Sequence, residues 1–230
     1  MSDTPDIPSY FTDPAAAADY EERTRRLVPG LADFHRICTL LLADRTPEQG
    51  RVLVVGAGGG LELRTFAQAH PGWQFVGVDP ADEMLRVAKA ALGAQSARVD
   101  WHCGYVHTAP EGPFDSAACL LTLHFVKLKD RVATLREIHR RLAPGGALVV
   151  MHLSFGGDAA ARARWFARYV AFAVSSGVAP DNVRAATEAM TERLTILPPG
   201  KDEAMLKDAG FRDVDTIYTG LCFRGWVAYA

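Results

Sequence analysis

Three glycines form the strongest chemical pattern in this sequence. Gly56, Gly58 and Gly60 follow an apolar run at 52–55 and lead into a segment with helical periodicity. Glycine is needed where the backbone turns tightly and approaches a ligand more closely than a Cβ would allow. The pattern therefore predicts a ligand-binding loop, and a tight structural turn is the alternative.

The spacing of these glycines separates two classes of cofactor. A dinucleotide fingerprint, G-x-G-x-x-G, would place its third glycine where this chain has Leu61. The spacing G-x-G-x-G, typical of S-adenosylmethionine sites, is met in full. The sequence therefore favours S-adenosylmethionine over NAD.

Asp79 is the second chemical feature, and it ends the apolar segment FVGVD, 19 residues after Gly60. The carboxyl ends of neighbouring parallel strands meet at one crevice, where a carboxylate can accept both hydroxyls of a ribose. Capping of a helix that begins near Asp82 is the alternative role. Pro80 and Met84 are expected beside the adenine, although core packing explains Met84 equally well.

His124 is the candidate general base. Displacement at a sulfonium-activated carbon proceeds in line, so the protein would mainly align a nucleophile and, for a poor one, remove its proton. His124 follows the fourth predicted strand at its carboxyl end, where sites form in open α/β sheets. A hydrogen-bonded packing role beside Phe125 is the alternative. His152 is a weaker candidate, because alternation along its strand does not fix its face.

The elements that must position these residues alternate along the chain. Apolar segments at 52–55, 74–78, 99–103, 116–121 and 147–153 read as buried strands. Helical periodicity lies between them, for example at 61–69, 82–92 and 131–142, where Pro144-Gly145-Gly146 is expected to end the helix. The alternation implies a parallel sheet with crossover helices on both faces.

The flanking segments depart from this alternation. Two helices at 15–26 and 31–43 precede the sheet, and two more at 159–175 and 182–195 form a predicted cap whose aromatic stripe is expected to pack on the sheet or on a dimer partner. A helix at 201–209 leads to strands at 214–219 and 222–228. Strands so close in sequence must be antiparallel.

Four ordered motifs then carry a family resemblance: VLVVGAGGG, FVGVDPADEML, FDSAACLLTLHF and LAPGGALVV. Over residues 50–155 the sequence resembles the class I S-adenosylmethionine-dependent methyltransferases. More narrowly, VPG at 28–30, LTLHF at 121–125 and CFRGWVA at 222–228 look like the branch that contains carboxy-S-adenosylmethionine synthase.

The resemblance implies an α/β, Rossmann-like seven-stranded methyltransferase fold, a mostly parallel sheet with an antiparallel last strand and a helical cap. It implies one domain over 1–230, with N-terminal helices at 1–49, a cofactor-binding core at 50–155, a cap insertion at 156–200 and a terminal helix and strand pair at 201–230. The expected cofactor contacts are Gly56, Ala57, Gly58, Gly60, Asp79, Pro80, Met84, Tyr105, Val106 and Leu120.

Departures from the family pattern matter for the choice of cofactor. The acid often found two residues before the first glycine is Val54 here, and the acid after strand three is Tyr105, which leaves adenine recognition to Tyr105 or the backbone at Val106. Within the narrower branch, a tyrosine and an asparagine that help to hold the cofactor become Leu31 and Leu120.

The branch also carries an arginine in the cap, and the corresponding position falls near Thr187 or Glu188. An arginine fork is the natural partner of an added carboxylate. Its apparent loss favours methyl transfer with ordinary S-adenosylmethionine over carboxy-S-adenosylmethionine-type chemistry.

Composition limits the class of protein and the kinds of partner that the sequence allows. The chain has 230 residues, 49% of them hydrophobic and 23% charged, which is typical of one soluble globular domain. A net charge of −2 disfavours nucleic acid, and the lack of an apolar membrane span or leader predicts a cytoplasmic protein without a membrane partner. Four scattered cysteines predict no metal site.

The main functional hypothesis is a methyltransferase for a small-molecule acceptor, with a homodimer as one arrangement. A non-catalytic or regulatory S-adenosylmethionine-binding protein is the second, raised by the apolar residues at Val54, Leu31 and Leu120. An NAD-dependent oxidoreductase is third. Acceptor, acceptor atom and turnover stay open at this stage.

Overall fold

The computed structural model describes residues 9–230, so residues 1–8 of the predicted N-terminal region lie outside it. The strands are β1 (Arg51–Val55), β2 (Gln74–Asp79), β3 (Val99–Cys103), β4 (Phe114–Leu120), β5 (Leu142–Leu153), β6 (Arg212–Gly220) and β7 (Phe223–Tyr229). The helices are α1 (Ser9–Thr12), α2 (Pro14–Ala18), α3 (Tyr20–Leu27), α4 (Leu31–Ala43), α5 (Leu61–Ala69), α6 (Asp82–Leu92), α7 (Leu128–His139), α8 (Ala159–Ser175), α9 (Pro180–Arg193) and α10 (Pro199–Asp208).

These strands form one seven-stranded sheet in the order β3-β2-β1-β4-β5-β7-β6. The strands from β1 to β5 pair in parallel, whereas β7 pairs antiparallel with both β5 and β6. The predicted fold class, a mostly parallel Rossmann-like sheet with an antiparallel last strand, is confirmed. The order reverses between β1 and β4, where the carboxyl ends of the strands open a crevice for ligands.

Burial on both faces explains why the central strands read as continuous apolar runs. In β1, every residue after Arg51 is buried, and β4 is buried along nearly its whole length. One face packs against α4 and α5 through Phe34 and Phe66, and the other packs against α7 and α10 through Ile138 and Leu206. The sheet is therefore the middle layer of three.

The prediction for the helix at 131–142 was wrong at both ends. The helix runs from Leu128 to His139, and Leu142 already belongs to β5, where it pairs with Phe114 of β4. Pro144-Gly145-Gly146 lies in a bulge of β5, because the register shifts between the pairs Phe114–Leu142 and Ser116–Ala147. A strand partner distant in sequence thus overrides the local helix-stop signal.

The N-terminal prediction also needs correction, because the helix expected at 15–26 is broken at Asp19 into α2 and α3. Helix α4 has the expected bounds, and so does α8 of the cap. In α8, the rings of Trp165 and Phe166 lie 6.3 and 5.2 Å from that of Phe155, which follows β5. The aromatic stripe therefore packs onto the end of the sheet.

A buried arginine holds the segment that leads from the cap back to the sheet. Arg131 of α7 is 1% exposed, and its Nη2 donates to the Thr195 carbonyl at 2.6 Å, just after α9.

Among the helices of residues 9–230, none combines the length and apolar character that a bilayer crossing requires.

Candidate cofactor site

The glycine loop is fixed over the end of β2 by backbone hydrogen bonds. The N–H groups of Gly56 and Ala57 donate to the carbonyl of Val78 at 2.8 and 2.9 Å. The loop therefore crosses from β1 toward β2 before α5 begins at Leu61. Its backbone lies at the carboxyl edge of the sheet, as predicted.

The three motif glycines meet different surroundings. A Cβ on Gly60 would stand 2.7 Å from Leu92 Cδ1 and 3.1 Å from Ala88 Cα, so this glycine lets α5 pack on α6. A Cβ on Gly56 would overlap Thr122. A Cβ on Gly58 would meet only ordinary contacts, the nearest at 3.6 Å, although its φ is +47°. Gly58 is therefore the motif glycine whose missing side chain is not explained by close packing within the protein.

Asp79 joins the loop to the following helix. One carboxylate oxygen accepts the Gly58 N–H and the other accepts the Ala81 N–H, both at 2.9 Å. The residue is 9% exposed, and burial raises the pKa of its carboxyl above the ordinary value. A carboxylate has about four acceptor positions, so these two bonds leave acceptor capacity for ribose hydroxyls. Asp79 does not cap α6, because the N-cap residue Ala81 has no side-chain cap hydrogen bond; its bond to the Ala81 N–H holds the turn before the helix and is compatible with the expected ribose role.

The predicted adenine side of the crevice has one exposed and several buried members. Pro80 is half-buried, and Met84 is 1% exposed in a small cluster with Ala17 of α2 and Ala81. This packing gives Met84 a core role, and its Cε also lies 3.8 Å from the Cβ position of Gly58. Met84 therefore borders both the N-terminal helices and the glycine loop.

Tyr105, Val106 and Leu120 differ in what they can offer. Tyr105 is 44% exposed and stacks on His107 with ring centroids 5.9 Å apart. Val106 and Leu120 are both 4% exposed, and their side chains lie in the core. Leu121, just after β4, has a φ of +55°, so a strained backbone borders the crevice.

His124 is buried at the carboxyl end of the sheet, 5% exposed. Its Nδ1 accepts the N–H of Leu153 at 3.3 Å, beyond the last β4–β5 pair, Leu120 and Met151. Burial, with the nearby His152 and Arg131, lowers the pKa of His124 well below its ordinary value, so the ring is neutral at pH 7. Since Nδ1 accepts a hydrogen bond, the neutral ring carries its own proton on Nε2.

His152 lies in a different environment, on the face that contacts α10. Its Nε2 is 3.2 Å from Asp202 Oδ1, and its ring centroid is 5.4 Å from that of Trp226. Ser154 donates to the other oxygen of Asp202 at 2.6 Å. This buried polar group joins β5 to α10.

Tyr20 of α3 covers the glycine loop, a contact that the sequence did not predict at residue level. Its Cδ1 lies 2.6 Å from the Cβ position of Gly59, and its hydroxyl lies 3.6 Å from that of Gly58. Helix α3 is held there by Glu21, which accepts a hydrogen bond of 2.5 Å from Nη2 of Arg64 in α5. Helix α3 thus covers the mouth of the site.

Glu62 is the other residue that the sequence reading missed. It stands in the first turn of α5, two residues after Gly60, and it is 7% exposed. Burial raises the pKa of its carboxyl to about 8, with a further contribution from the charge of Asp79. An acid directly after a glycine loop was the available signal.

Comparisons with known proteins agree with this geometry. A family profile described as "Methyltransferase domain" matches residues 52–146. The carboxy-S-adenosyl-L-methionine synthase of Campylobacter hominis is 23% identical over 216 residues, which cover 94% of this chain and 92% of that protein. The predicted resemblance to the S-adenosylmethionine-dependent methyltransferases is confirmed.

Two further matches extend this result for the methyltransferase fold. The carboxy-S-adenosyl-L-methionine synthase of Methylococcus capsulatus is 27% identical over 223 residues, covering 93% of this chain and 90% of that protein. The structure of human N-acetylserotonin methyltransferase in complex with SAM superposes with a TM-score of 0.62 at 15% identity. That match covers 97% of this chain but 60% of the human chain, so this chain spans three fifths of its length.

The site fits the predicted cofactor, S-adenosylmethionine, on its own geometry. The Gly58 backbone carries no side chain toward the crevice, and Asp79 keeps acceptor capacity for a ribose. Glu62 and Asp79 supply negative or ionisable groups for a cationic ligand. A dinucleotide would find Leu61 where its fingerprint needs a glycine.

Proposed function

We propose that this methyltransferase-like chain transfers the methyl group of S-adenosylmethionine to a small-molecule acceptor. The observation that carries the proposal is the pairing of Asp79 with Gly58 at the carboxyl ends of β1 and β2. This pairing supports the proposal, because a carboxylate with acceptor capacity lies beside the one motif glycine whose Cβ position meets no atom closer than 3.6 Å. The proposed cofactor contacts are Gly56, Ala57, Gly58, Gly60, Asp79, Pro80, Met84, Tyr105, Val106 and Leu120.

The chain's own contribution to such a reaction is alignment and exclusion of water. A sulfonium already activates the methyl carbon, so the protein has to hold donor and acceptor in line. The cover formed by α3 and the cap formed by α8 and α9 supply the walls. We propose that the cap selects the acceptor, because α8 packs its aromatic residues against the end of β5.

The role of His124 as a general base stays a prediction. Its hydrogen bonding means that the ring could accept a proton only after a change in its contacts. Its Nδ1 is occupied by the Leu153 N–H, and its Nε2 carries the proton of the neutral ring. To take a proton from an acceptor, the ring must first release Leu153. We therefore favour acceptors that need no strong base, or deprotonation by solvent.

Carboxy-S-adenosylmethionine-type chemistry is the second candidate, because curated relatives with that name match nearly the full chain. An added carboxylate calls for a cationic partner. Near the expected cap position, Arg184 of α9 is an exposed residue that pairs with Asp181. Thr187 and Glu188 supply no cation there, which is the reason to prefer methyl transfer.

Calorimetry of the purified protein tests the choice of ligand. We expect binding of S-adenosylmethionine and of its demethylated product, S-adenosylhomocysteine, and no binding of NAD. Clear preference for carboxy-S-adenosylmethionine would overturn methyl transfer in favour of the second candidate. A tight NAD complex would overturn both.

Turnover separates an enzyme from a binding or regulatory protein. Methyl-labelled cofactor is incubated with a panel of small hydroxyl, amine, thiol and carbon acceptors, and we expect labelled product from at least one class. Binding without turnover on any class would favour the regulatory alternative. The cytoplasmic location, the homodimer and the exclusion of nucleic acid stay predictions.

A further inference from the structure

Among the residues that the structure describes, Glu62 is a buried carboxyl group beside the glycine loop without a cationic partner. It is 7% exposed, and within that part of the chain a hydrogen bond with its own backbone N–H is the only one that stabilises its charged form. Within residues 9–230, no arginine, lysine or histidine contributes a favourable charge to it. The nearest arginine along α5, Arg64, is paired with Glu21 instead. A buried carboxylate in such a position is costly unless a cation joins it.

Within residues 9–230, the titratable groups that interact electrostatically with Glu62 come from four elements, and none is a cation. They are Tyr20 of α3, Cys38 of α4, Asp79 of β2 and Cys119 of β4. Burial raises the pKa of both thiols and of the tyrosine, so all three are neutral at pH 7. Glu62 is itself largely protonated at that pH, because its pKa is about 8. The surroundings of Glu62 thus combine a second carboxyl group, that of Asp79, with neutral neighbours.

We propose that Glu62 binds the ammonium group of the methionyl part of S-adenosylmethionine. This inference rests on the proposed function. The ammonium group has three N–H donors, whereas the sulfonium has none, so the ammonium is the cation that a carboxylate recognises by hydrogen bonds. Glu62 lies within the electrostatic reach of Asp79, which is the proposed ribose partner in the same crevice. One carboxyl would then serve the sugar and the other the amino acid.

Binding at Glu62 includes a proton transfer that can be counted. The protonated carboxyl gives its proton to the solvent buffer, and the resulting carboxylate accepts an N–H of the ligand's ammonium group. With a pKa of about 8 in the free protein, wild type should release close to one proton per ligand at pH 7. 5′-Methylthioadenosine lacks the ammonium group and should release none.

Calorimetry at pH 7 in buffers of different ionisation enthalpy measures this proton directly. The wild-type protein is titrated with S-adenosylhomocysteine and with 5′-methylthioadenosine. Proton release with the first ligand and not with the second supports the proposal. Equal release with both ligands, or none with either, overturns it without any variant being made.

Glu62→Gln provides the second measurement, with Glu48→Gln as the matched exposed control. We expect S-adenosylhomocysteine to bind Glu62→Gln about 10- to 100-fold more weakly, which is the range of one charge-assisted hydrogen bond. Affinity for 5′-methylthioadenosine should stay within about 3-fold of wild type. The control variant should bind both ligands normally.

The outcomes distinguish this inference from the proposed function. Unchanged affinity of Glu62→Gln for S-adenosylhomocysteine overturns the role of Glu62 and leaves the proposed function standing. Equal weakening of both ligands also overturns it, because it would mean that Glu62 only shapes the pocket. Absence of any S-adenosylmethionine or S-adenosylhomocysteine binding by wild type overturns the proposed function itself.

Discussion

His124 extends the sheet where β4 stops. Its Nδ1 accepts the Leu153 N–H, a backbone donor of β5 that lies past the last β4–β5 pair. A buried donor left without an acceptor costs about 1–3 kcal/mol. We therefore predict that His124→Ala lowers the melting temperature by several degrees, measured by thermal unfolding.

His124→Asn separates this structural role from catalysis, because an amide oxygen can replace Nδ1 as the acceptor. We expect this variant to melt close to wild type and to keep its turnover rate within a few-fold. A loss of about 100-fold or more in kcat at unchanged melting temperature would instead establish the histidine as the general base.

Asp79 has two backbone bonds and a proposed sugar ligand. Asp79→Asn keeps one acceptor oxygen and replaces the other by an amide donor, which cannot accept both a backbone N–H and a hydroxyl. Calorimetry should show affinity for S-adenosylhomocysteine and for 5′-methylthioadenosine reduced about 10-fold or more, since both carry the ribose. Asp100→Asn, on the neighbouring strand and exposed, is the control. Unchanged affinity would remove Asp79 from the site.

At this scale the sequence was informative where a motif fixes the backbone. The positions of Gly58 and Asp79 follow from a strand, a loop and a second strand that meet at one edge. Glu62 and Tyr20 could not be found in that way, because their importance comes from what packs around them. Tyr20 is far from the loop along the chain, and only the tertiary fold brings α3 over Gly59.

Among the elements, the junction of the glycine loop with α5 serves two different needs. Gly60 makes room for Ala88 and Leu92 of α6, whereas a Cβ on Gly58 would meet only ordinary contacts, the nearest at 3.6 Å. We predict that Gly60→Ala destabilises the fold by about 2–4 kcal/mol through overpacking and its φ of +76°. Chemical denaturation measures this loss.

Gly58→Ala should weaken ligand binding more than it lowers stability. Its cost in stability is about 1 kcal/mol, from the φ of +47° alone, because the new methyl group meets no close neighbour. Affinity for S-adenosylhomocysteine should nevertheless fall at least about 10-fold, since the methyl group takes up ligand space. Normal ligand affinity in Gly58→Ala would show that the cofactor does not approach the loop at this residue.

Element prediction from sequence succeeded where periodicity and caps agree. The bounds of α4, α5, α6 and α8 follow from apolar spacing between clear start and stop signals. The boundary between α7 and β5 could not be read locally, because Leu142 continues the apolar spacing of the helix while it pairs with Phe114. Periodicity along one segment carries no information about the register of its partner.

For the whole molecule, Glu62 makes stability depend on pH. Its pKa is about 8 in the folded chain and 4.5 as its ordinary value, so the folded state binds the extra proton between these limits. The contribution of Glu62 to the free energy of unfolding is fully present below pH 4.5 and is lost as pH rises through 8. The ligand-free protein should therefore gain in melting temperature from Glu62→Gln at pH 8.5 and gain much less at pH 5.

Two buried histidines also make stability depend on pH, but only in the acidic range. They do not affect the comparison of wild type with Glu62→Gln. Burial lowers the pKa of His35 to about 4 and that of His124 well below 6.5, so both must gain protons on unfolding in acid. They affect wild type and variant equally. A constant difference in melting temperature from pH 5 to pH 8.5 would contradict the protonated state of Glu62.

The placement of β7 between β5 and β6 has a consequence for biosynthesis. On the ribosome, β5 emerges with an apolar edge that is satisfied only when β7 follows, after the cap, α10 and β6 have been made. Until then, the nascent chain offers an open strand to other chains, which is a known route to aggregation. Slow, cool expression with abundant chaperones should therefore yield more folded enzyme than rapid expression at high temperature.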